Sequence, residues 1–547
     1  MNVAGLLVVI VAGIAVAGFA KRLDLQVPLV LVTIGAAASF LPGVPSVEIA
    51  PELMLGVVLP PLLYSAALNF SFTTFRRNIS AILRLGVALV LVTALAVGFF
   101  ADWLVPEFTL GAALVLGAVV APPDAVAAVA VGRRLGLPAR VMAILKGESL
   151  VNDAAALTLF ALTTAAVTGR KIAIDSPVVF FLYEIVGGVL VGLAFAGLVR
   201  LVRSRIEDSP METVLGLVLP FAAYLAAEEI HASGVLAVVA AGFVMGHSAG
   251  DESVATRIQE RSVWPTVDLV LETFVFAYMG LQLKSVIEDV RADGLPVVHV
   301  FGYGLAVLGL VIVVRPAWIF VNMGRRHVTR SIARRPSDTW AGDRLNWRQN
   351  LVVSWAGMRG VVTLAAAAGV PLVTLAGDPF PGRGVIQAVA FTVAVGTLLI
   401  QGSTLPLLIR RLDLADPDEE LRRAQQAAYA REISRVAAER SLRESLRDPP
   451  DSVATRDLAE VAEQVRRSMQ ARLAAERAED AGEHEARVHK TGALFNRLRN
   501  QMLKEQRRAL IAARDSGDLD DEVLRSVLEA LDLEEAVAES RVQRERW

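Results

Sequence analysis

Apolar runs of about 20 residues recur from the N-terminus to about residue 411. A run of that length crosses the roughly 30 Å hydrocarbon core of a bilayer as one α-helix. No water reaches the backbone there, so each segment must satisfy its own N–H and C=O groups, and a helix does so. The fold class is therefore all-α and polytopic. Composition agrees, with 54% of the 547 residues hydrophobic and 20% charged, against about 25% charged in soluble domains. Mean hydropathy is +0.51. The absence of cysteine excludes disulfides, thiolate metal sites and cysteine nucleophiles. The net charge of -2 averages two unlike regions and indicates no nucleic-acid partner.

The spans fall near 2–20, 25–43, 52–69, 80–101, 108–132, 139–167, 177–199, 211–228, 231–247, 263–283, 296–323, 348–374 and 384–410, about thirteen in all. Lys21/Arg22, Arg76/Arg77, Arg133/Arg134/Arg140, Arg200/Arg203/Arg205, Arg257/Arg261, the 325–335 cluster and Arg410/Arg411 occupy alternate loops. The intervening loops carry little basic charge: Arg170/Lys171, Lys284, Arg291 and Arg383. The positive-inside rule then puts the N-terminus outside and the C-terminus in the cytoplasm, which an odd span count also requires. Met1–Ala20 lacks the basic leader of a signal peptide and is followed by Lys21 and Arg22, as a first membrane helix would be.

Residues 1–411 thus read as a transmembrane domain and 412–547 as a helical cytoplasmic domain. The latter is rich in Ala, Glu, Arg and Leu, with amphipathic stretches at 417–447, 454–481, 489–514 and 520–540. Asp448-Pro449-Pro450-Asp451 and Asp515-Ser516-Gly517-Asp518 separate them, and Asp520 is placed to cap the last. His484 and His489 are five apart, not the four of a helical zinc pair.

Within the spans, Gly147-Glu148-Ser149-Leu150-Val151-Asn152-Asp153 stands out. Charge in hydrocarbon is costly, so an intramembrane ionisable group is a functional-site hypothesis. Ser149 and Asp153 are four apart and share a helix face, with Asn152 beside them. Glu148, five before Asp153, points roughly 140° away, so the two acids have different duties. Two spans are also interrupted. The fifth contains Ala121-Pro122-Pro123-Asp124 and the twelfth Gly357-Met358-Arg359-Gly360. Interrupted spans at matching places in two halves mark a transporter's midplane site. They imply inverted six-helix repeats joined by one linking helix.

Asp124, Asp153, Ser149 and carbonyl oxygens freed by the break would form an all-oxygen site, which suits a hard cation. Removal from water favours the neutral carboxylic acid. One carboxylate that holds a cation or a proton, never both, suffices for exchange. Arg315, inside the eleventh span, needs a buried partner, and Glu148 is the candidate. Glu272 and Arg359 are second-tier site residues, Glu184 has no named partner, and Lys146 is near enough to a span end to snorkel.

The Gly147–Asp153 stretch resembles the Asn-Asp motif of the cation/proton antiporter-1 family, which includes the sodium/proton exchangers. Leu59-Pro60-Pro61-Leu62-Leu63-Tyr64, Ser233-Gly234-Val235-Leu236-Ala237, Glu272-Thr273-Phe274-Val275-Phe276 and Trp355-Ala356-Gly357-Met358-Arg359-Gly360 are similar to further family signatures. So is the tail from Gly517-Asp518-Leu519 to Leu531-Asp532-Leu533-Glu534-Glu535. The resemblance implies thirteen helices in a lipid-embedded homodimer, with a core domain moving against a dimerisation domain in the cell membrane. It implies that Asp153 carries the ion or proton, with Asp124 and Ser149 as fellow ligands of Na+, and that Glu148 pairs with Arg315. Asn152, where electrogenic relatives have a second acid, implies electroneutral exchange.

Two positions depart from the pattern. Pro123-Asp124-Ala125 replaces Thr-Asp-Pro, leaving the Pro123 carbonyl at the threonine position, and Ser65 stands where some members carry a third-span acid. Na+ is the expected cargo, with Li+ and K+ open, and no resident cofactor is implied. A passive cation channel lacks a use for paired half-repeats. An intramembrane aspartyl protease would need a carboxylate dyad in Tyr-Asp and Gly-x-Gly-Asp contexts, which are missing.

Overall fold

The computed structural model describes residues 3–23, 25–42, 53–170, 176–206, 208–249, 253–292, 294–332, 345–414, 417–447 and 492–544. These are helical nearly throughout. Helices α1 (Val3–Arg22) and α2 (Val27–Ala38) precede α3 (Met54–Leu68). α3 opens with a π-helical turn over Met54–Val58, in which the Leu59 N–H reaches back to the Met54 carbonyl. Pro60 and Pro61 remove two donors from the next turn, and a widened turn is one way a helix absorbs such a gap. α4 (Phe72–Leu104) is capped by the Ser71 hydroxyl, which accepts the Thr74 N–H at 3.0 Å.

The span from residue 108 forms two pieces, α5 (Leu110–Val120) and α6 (Val126–Arg134). α7 (Ala139–Thr168) ends on Gly169, whose φ of 74° is the left-handed cap that glycine adopts without strain. There follow α8 (Pro177–Arg203), α9 (Ser209–Glu229), α10 (Gly234–Ser248), α11 (Val254–Ala292) and α12 (Val297–Ile332). A second divided stretch gives α13 (Trp347–Trp355) and α14 (Val361–Ala368), before α15 (Arg383–Leu412). Among the described residues, seven helices are long and apolar enough to cross a membrane: α4, α7, α8, α9, α11, α15 and the Val297–Met323 part of α12. Shorter apolar helices accompany them.

The chain divides into two compact units, Met1–His247 with Glu260–Ala415, and Ser248–Gln259 with Asp416–Trp547. In the first, one core joins Leu31, Val131, Ile144, Met279 and Val353, and another joins Val115, Leu116, Val307, Val311 and Val389. Apolar side chains gain little by leaving lipid for protein, so close packing holds such helices together. At Gly117 a Cβ would strike the Ala94 carbonyl, so only glycine lets α5 lie against α4 at that point. On α8, Leu182, Val186, Leu190 and Leu193 are exposed, as a lipid-facing surface requires.

In the second unit, α16 (Pro417–Arg447), α17 (Gly492–Asp515) and α18 (Asp521–Arg544) share a small core. Ala430, Leu503, Leu510, Leu524 and Leu528 fill it. The Glu522 N–H donates to Asp520 Oδ1 at 2.8 Å, capping α18. Asp532 is fully buried, accepting from Arg507 Nη2 at 2.9 Å and from both Nε and Nη2 of Arg257. Arg257 is thus tied up in a buried charge cluster and is not a free loop charge. The 454–481 stretch, the Asp448–Asp451 separator and the His484/His489 pair lie outside the described residues.

Candidate cation site

Glu148 and Asp153 sit near the middle of α7, one turn and a half apart, and both are buried. Arg315 Nη1 donates to Glu148 Oε1, and its Nη2 donates to Oε2 at 2.7 Å. Arg315 Nε donates to the Val353 carbonyl at 3.0 Å. This fork-to-fork pairing satisfies both charges without water and links α7, α12 and α13.

The first interruption follows from Pro122 and Pro123, which offer no backbone N–H. Asp124, just past them, has two fixed bonds. Its N–H donates to the Met358 carbonyl at 2.6 Å, and its Oδ1 accepts the Val126 N–H at 2.8 Å. The second bond satisfies an orphan donor at the start of α6. The first ties one interruption to the other. At Gly360 any Cβ would enter the Asp124 carboxylate, so glycine is required there by close approach.

Arg359 occupies the second interruption. Its N–H donates to Thr397 Oγ1 at 2.9 Å, its Nε to the Val120 carbonyl at 3.1 Å, and its Nη1 to the Gly357 carbonyl. The Val120 carbonyl ends α5 and the Gly357 carbonyl lies two residues past the end of α13, both near the negative end of a helix dipole. A protein cation meets both ends. The Pro123 carbonyl likewise accepts from Asn152 Nδ2. Carbonyls that the breaks free are therefore largely bonded within the protein.

A cavity of about 100 Å³ opens beside Asp153, and Pro123, Asp124, Ser149, Glu272 and Thr363 line it with Asp153. Leu59 and Leu62 of α3 close it with apolar surface. Neither Asp124 nor Asp153 forms an ion pair among the described residues. Among the described residues no three His, Cys, Asp or Glu side chains are placed to hold one metal ion together. Asp124 and Asp153 with the neutral oxygens of Ser149 and Thr363, and Glu272 on the same lining, form an all-oxygen, hard donor set, which fits a hard cation or a proton.

Not every candidate converges. Asn152 is fully buried and acts through Pro123 rather than lining the cavity. Arg359, Glu148 and Arg315 are not part of the cavity lining. Ser65 is also outside the lining, and its Oγ donates to Asp268 Oδ2 at 2.6 Å. Asp268, one turn before Glu272 on α11, is absent from the sequence reading. Its signal was a second acid four residues from Glu272 on one face of a span.

A helical membrane protein that brings carboxylates without ion-pair partners among the described residues, from a continuous and an interrupted helix, onto one small and mostly apolar cavity has the construction of an ion transporter. The chain belongs to the sodium/hydrogen exchanger family, whose transmembrane family model matches residues 6–411. It is a cation/proton antiporter by class. An uncharacterised Na+/H+ exchanger of Mycobacterium tuberculosis is 33% identical over 537 residues, covering 97% of this chain and 95% of the relative. A sodium, potassium, lithium and rubidium/H+ antiporter of Bacillus subtilis is 29% identical over 429 residues, 75% of this chain and 62% of that protein. The sodium proton antiporter MjNhaP1 of Methanocaldococcus jannaschii superposes with a TM-score of 0.59 over 76% of this chain and 99% of that one. At 20% identity that likeness establishes the fold.

Proposed function

We propose that the protein exchanges Na+ for H+ across the cell membrane, one for one, by competition of the two for Asp153. The observation that carries this reading is the cavity on which Asp124, Ser149 and Asp153 converge without a basic side chain on its lining among the described residues. Asp153 releases its proton, and Na+ takes the vacated charge with Asp124 and Ser149 as further ligands. The reverse occurs on the other side. Because one carboxylate is neutralised in either state, and Asn152 stands where a second acid would sit, each cycle moves one charge each way. Rocking of the helices around a fixed site would alternate its access. Glu148 and Arg315 hold α7 to α12 throughout, and Asn152 fixes the Pro123 interruption.

In this reading thirteen helices form two inverted six-helix repeats, with the N-terminus outside and the 412–547 domain in the cytoplasm. Two such chains form a homodimer in the lipid, serving pH homeostasis. K+/H+ exchange by the same mechanism is the second reading. It is favoured by the Bacillus subtilis relative, named for sodium, potassium, lithium and rubidium, and by the missing hydroxyl at Pro123. Half-saturating concentrations of Na+, Li+ and K+ in proteoliposomes decide between them.

The experiment for the mechanism is Asp153→Asn, reconstituted with a pH-sensitive dye. Exchange should vanish for every cation while the variant elutes and melts like the parent. Proton-coupled transport by the folded variant would end the proposal.

A further inference from the structure

Thr363 is the third residue of α14, the helix that resumes after the second interruption. Its side chain is 1% exposed, and its Oγ1 is buried without a hydrogen-bond partner. Thr164 and Thr273, also helical, share that condition, but neither of them lines the cavity beside Asp153. Thr158 donates to the Ala154 carbonyl at 2.9 Å, Thr213 to Ser209 at 2.9 Å and Thr392 to Ala388 at 2.7 Å, each to the carbonyl four residues back. For Thr363 that carbonyl belongs to Arg359, which lies in the interruption and outside any helix. The break that shapes the site thus also deprives this hydroxyl of its customary acceptor.

The wall around it is largely apolar and offers few polar atoms. Thr363 lines the same cavity as Asp124, Ser149 and Asp153, and buried polar groups are almost always satisfied by something. Pro123 brings no side-chain oxygen to this lining, and its carbonyl already accepts from Asn152. A neutral hydroxyl oxygen has lone pairs suited to a hard monovalent cation.

We propose that Thr363 Oγ1 is a ligand of the transported cation, supplied by the second interrupted helix in place of the hydroxyl that Pro123 lacks. This rests on the cavity being the cation site. With it the ligand set draws on α7, on the Asp124 interruption and on α14. Both interrupted segments then contribute to binding, and Thr363 sets cation preference rather than proton chemistry.

The test uses the full chain in proteoliposomes, titrating Na+, Li+ and K+ at fixed pH in Thr363→Val, Thr363→Ser and Thr363→Ala. Thr363→Val keeps the shape and removes the oxygen. It should raise the half-saturating Na+ concentration by about three- to tenfold, with the maximal rate unchanged. Thr363→Ser keeps the oxygen and loses a methyl, and should behave as the parent does. A packing role would reverse that order, harming Ser more than Val, and would overturn the proposal. So would unchanged Na+, Li+ and K+ titrations in Thr363→Val. If Thr363→Val does not assemble, Thr363→Ala takes its place, with the same shift expected and the same null result decisive. Should Thr363→Val be silent while Asp153→Asn is dead, only the Thr363 assignment falls. Transport by Asp153→Asn would remove the cavity reading itself.

Discussion

Glu148 and Asp153 show how one helix can hold two carboxylates for opposite purposes. Glu148 has a guanidinium on both oxygens, and its charge is spent on holding helices together. Asp153 has no ion-pair partner among the described residues and borders a cavity, which in the proposed mechanism leaves its charge for the exchanged ion. Arg315→Ala should therefore be a stability variant, because it strands a buried carboxylate at a cost of about 3–5 kcal/mol. The check is thermal melting in detergent, where an unchanged midpoint would refute the pairing. Neutralising both partners, with Glu148→Gln added, should recover part of the loss. This division was legible in the sequence, because helical spacing alone turns residue 148 away from residue 153. The partner of Ser65 was not legible. Asp268 lies 203 positions away, and nothing local to either residue announces the contact. Thr363 was equally silent, since threonine in an apolar helix ordinarily bonds to its own preceding turn.

At the scale of elements, the two interruptions work as one object. The Asp124 N–H bonds to the Met358 carbonyl, Arg359 caps the end of α5, and Gly360 makes room for the Asp124 carboxylate. Gly360→Ala is the sharpest probe, because its methyl would occupy the carboxylate's place. We expect exchange to fall at least tenfold, equivalent to about 1.4 kcal/mol, with helix content by circular dichroism preserved. Wild-type rates in Gly360→Ala would show that Asp124 need not sit where it does. Pro122-Pro123 and Gly357/Gly360 were readable as breaks from local chemistry alone. How the breaks are filled was not. The freed carbonyls looked available to an ion, yet Arg359 and Asn152 take several of them, because an unsatisfied buried carbonyl is costly whenever no cargo is bound.

For the whole molecule, the apolar runs determine an all-helical membrane fold, since lipid permits little else. Recurrent hydropathy is the part of a structure that sequence displays most openly. Long-range charge pairing is the part it hides. Arg257 counts in the sequence among the loop charges that orient the chain, yet it is buried against Asp532, 275 residues further on. The account of function likewise rests on one global property, that cation and proton exclude each other from Asp153. Proton binding to that carboxylate removes the cation's main ligand, so lowering the pH must weaken apparent cation affinity. Raising the pH must strengthen it until the site is fully deprotonated. The direct measurement is the half-saturating Na+ concentration of the wild-type protein in proteoliposomes, taken across a series of equal inner and outer pH values. The account predicts a rise that approaches about tenfold per unit of falling pH at constant maximal rate. A half-saturating concentration that stays the same across the series would contradict it.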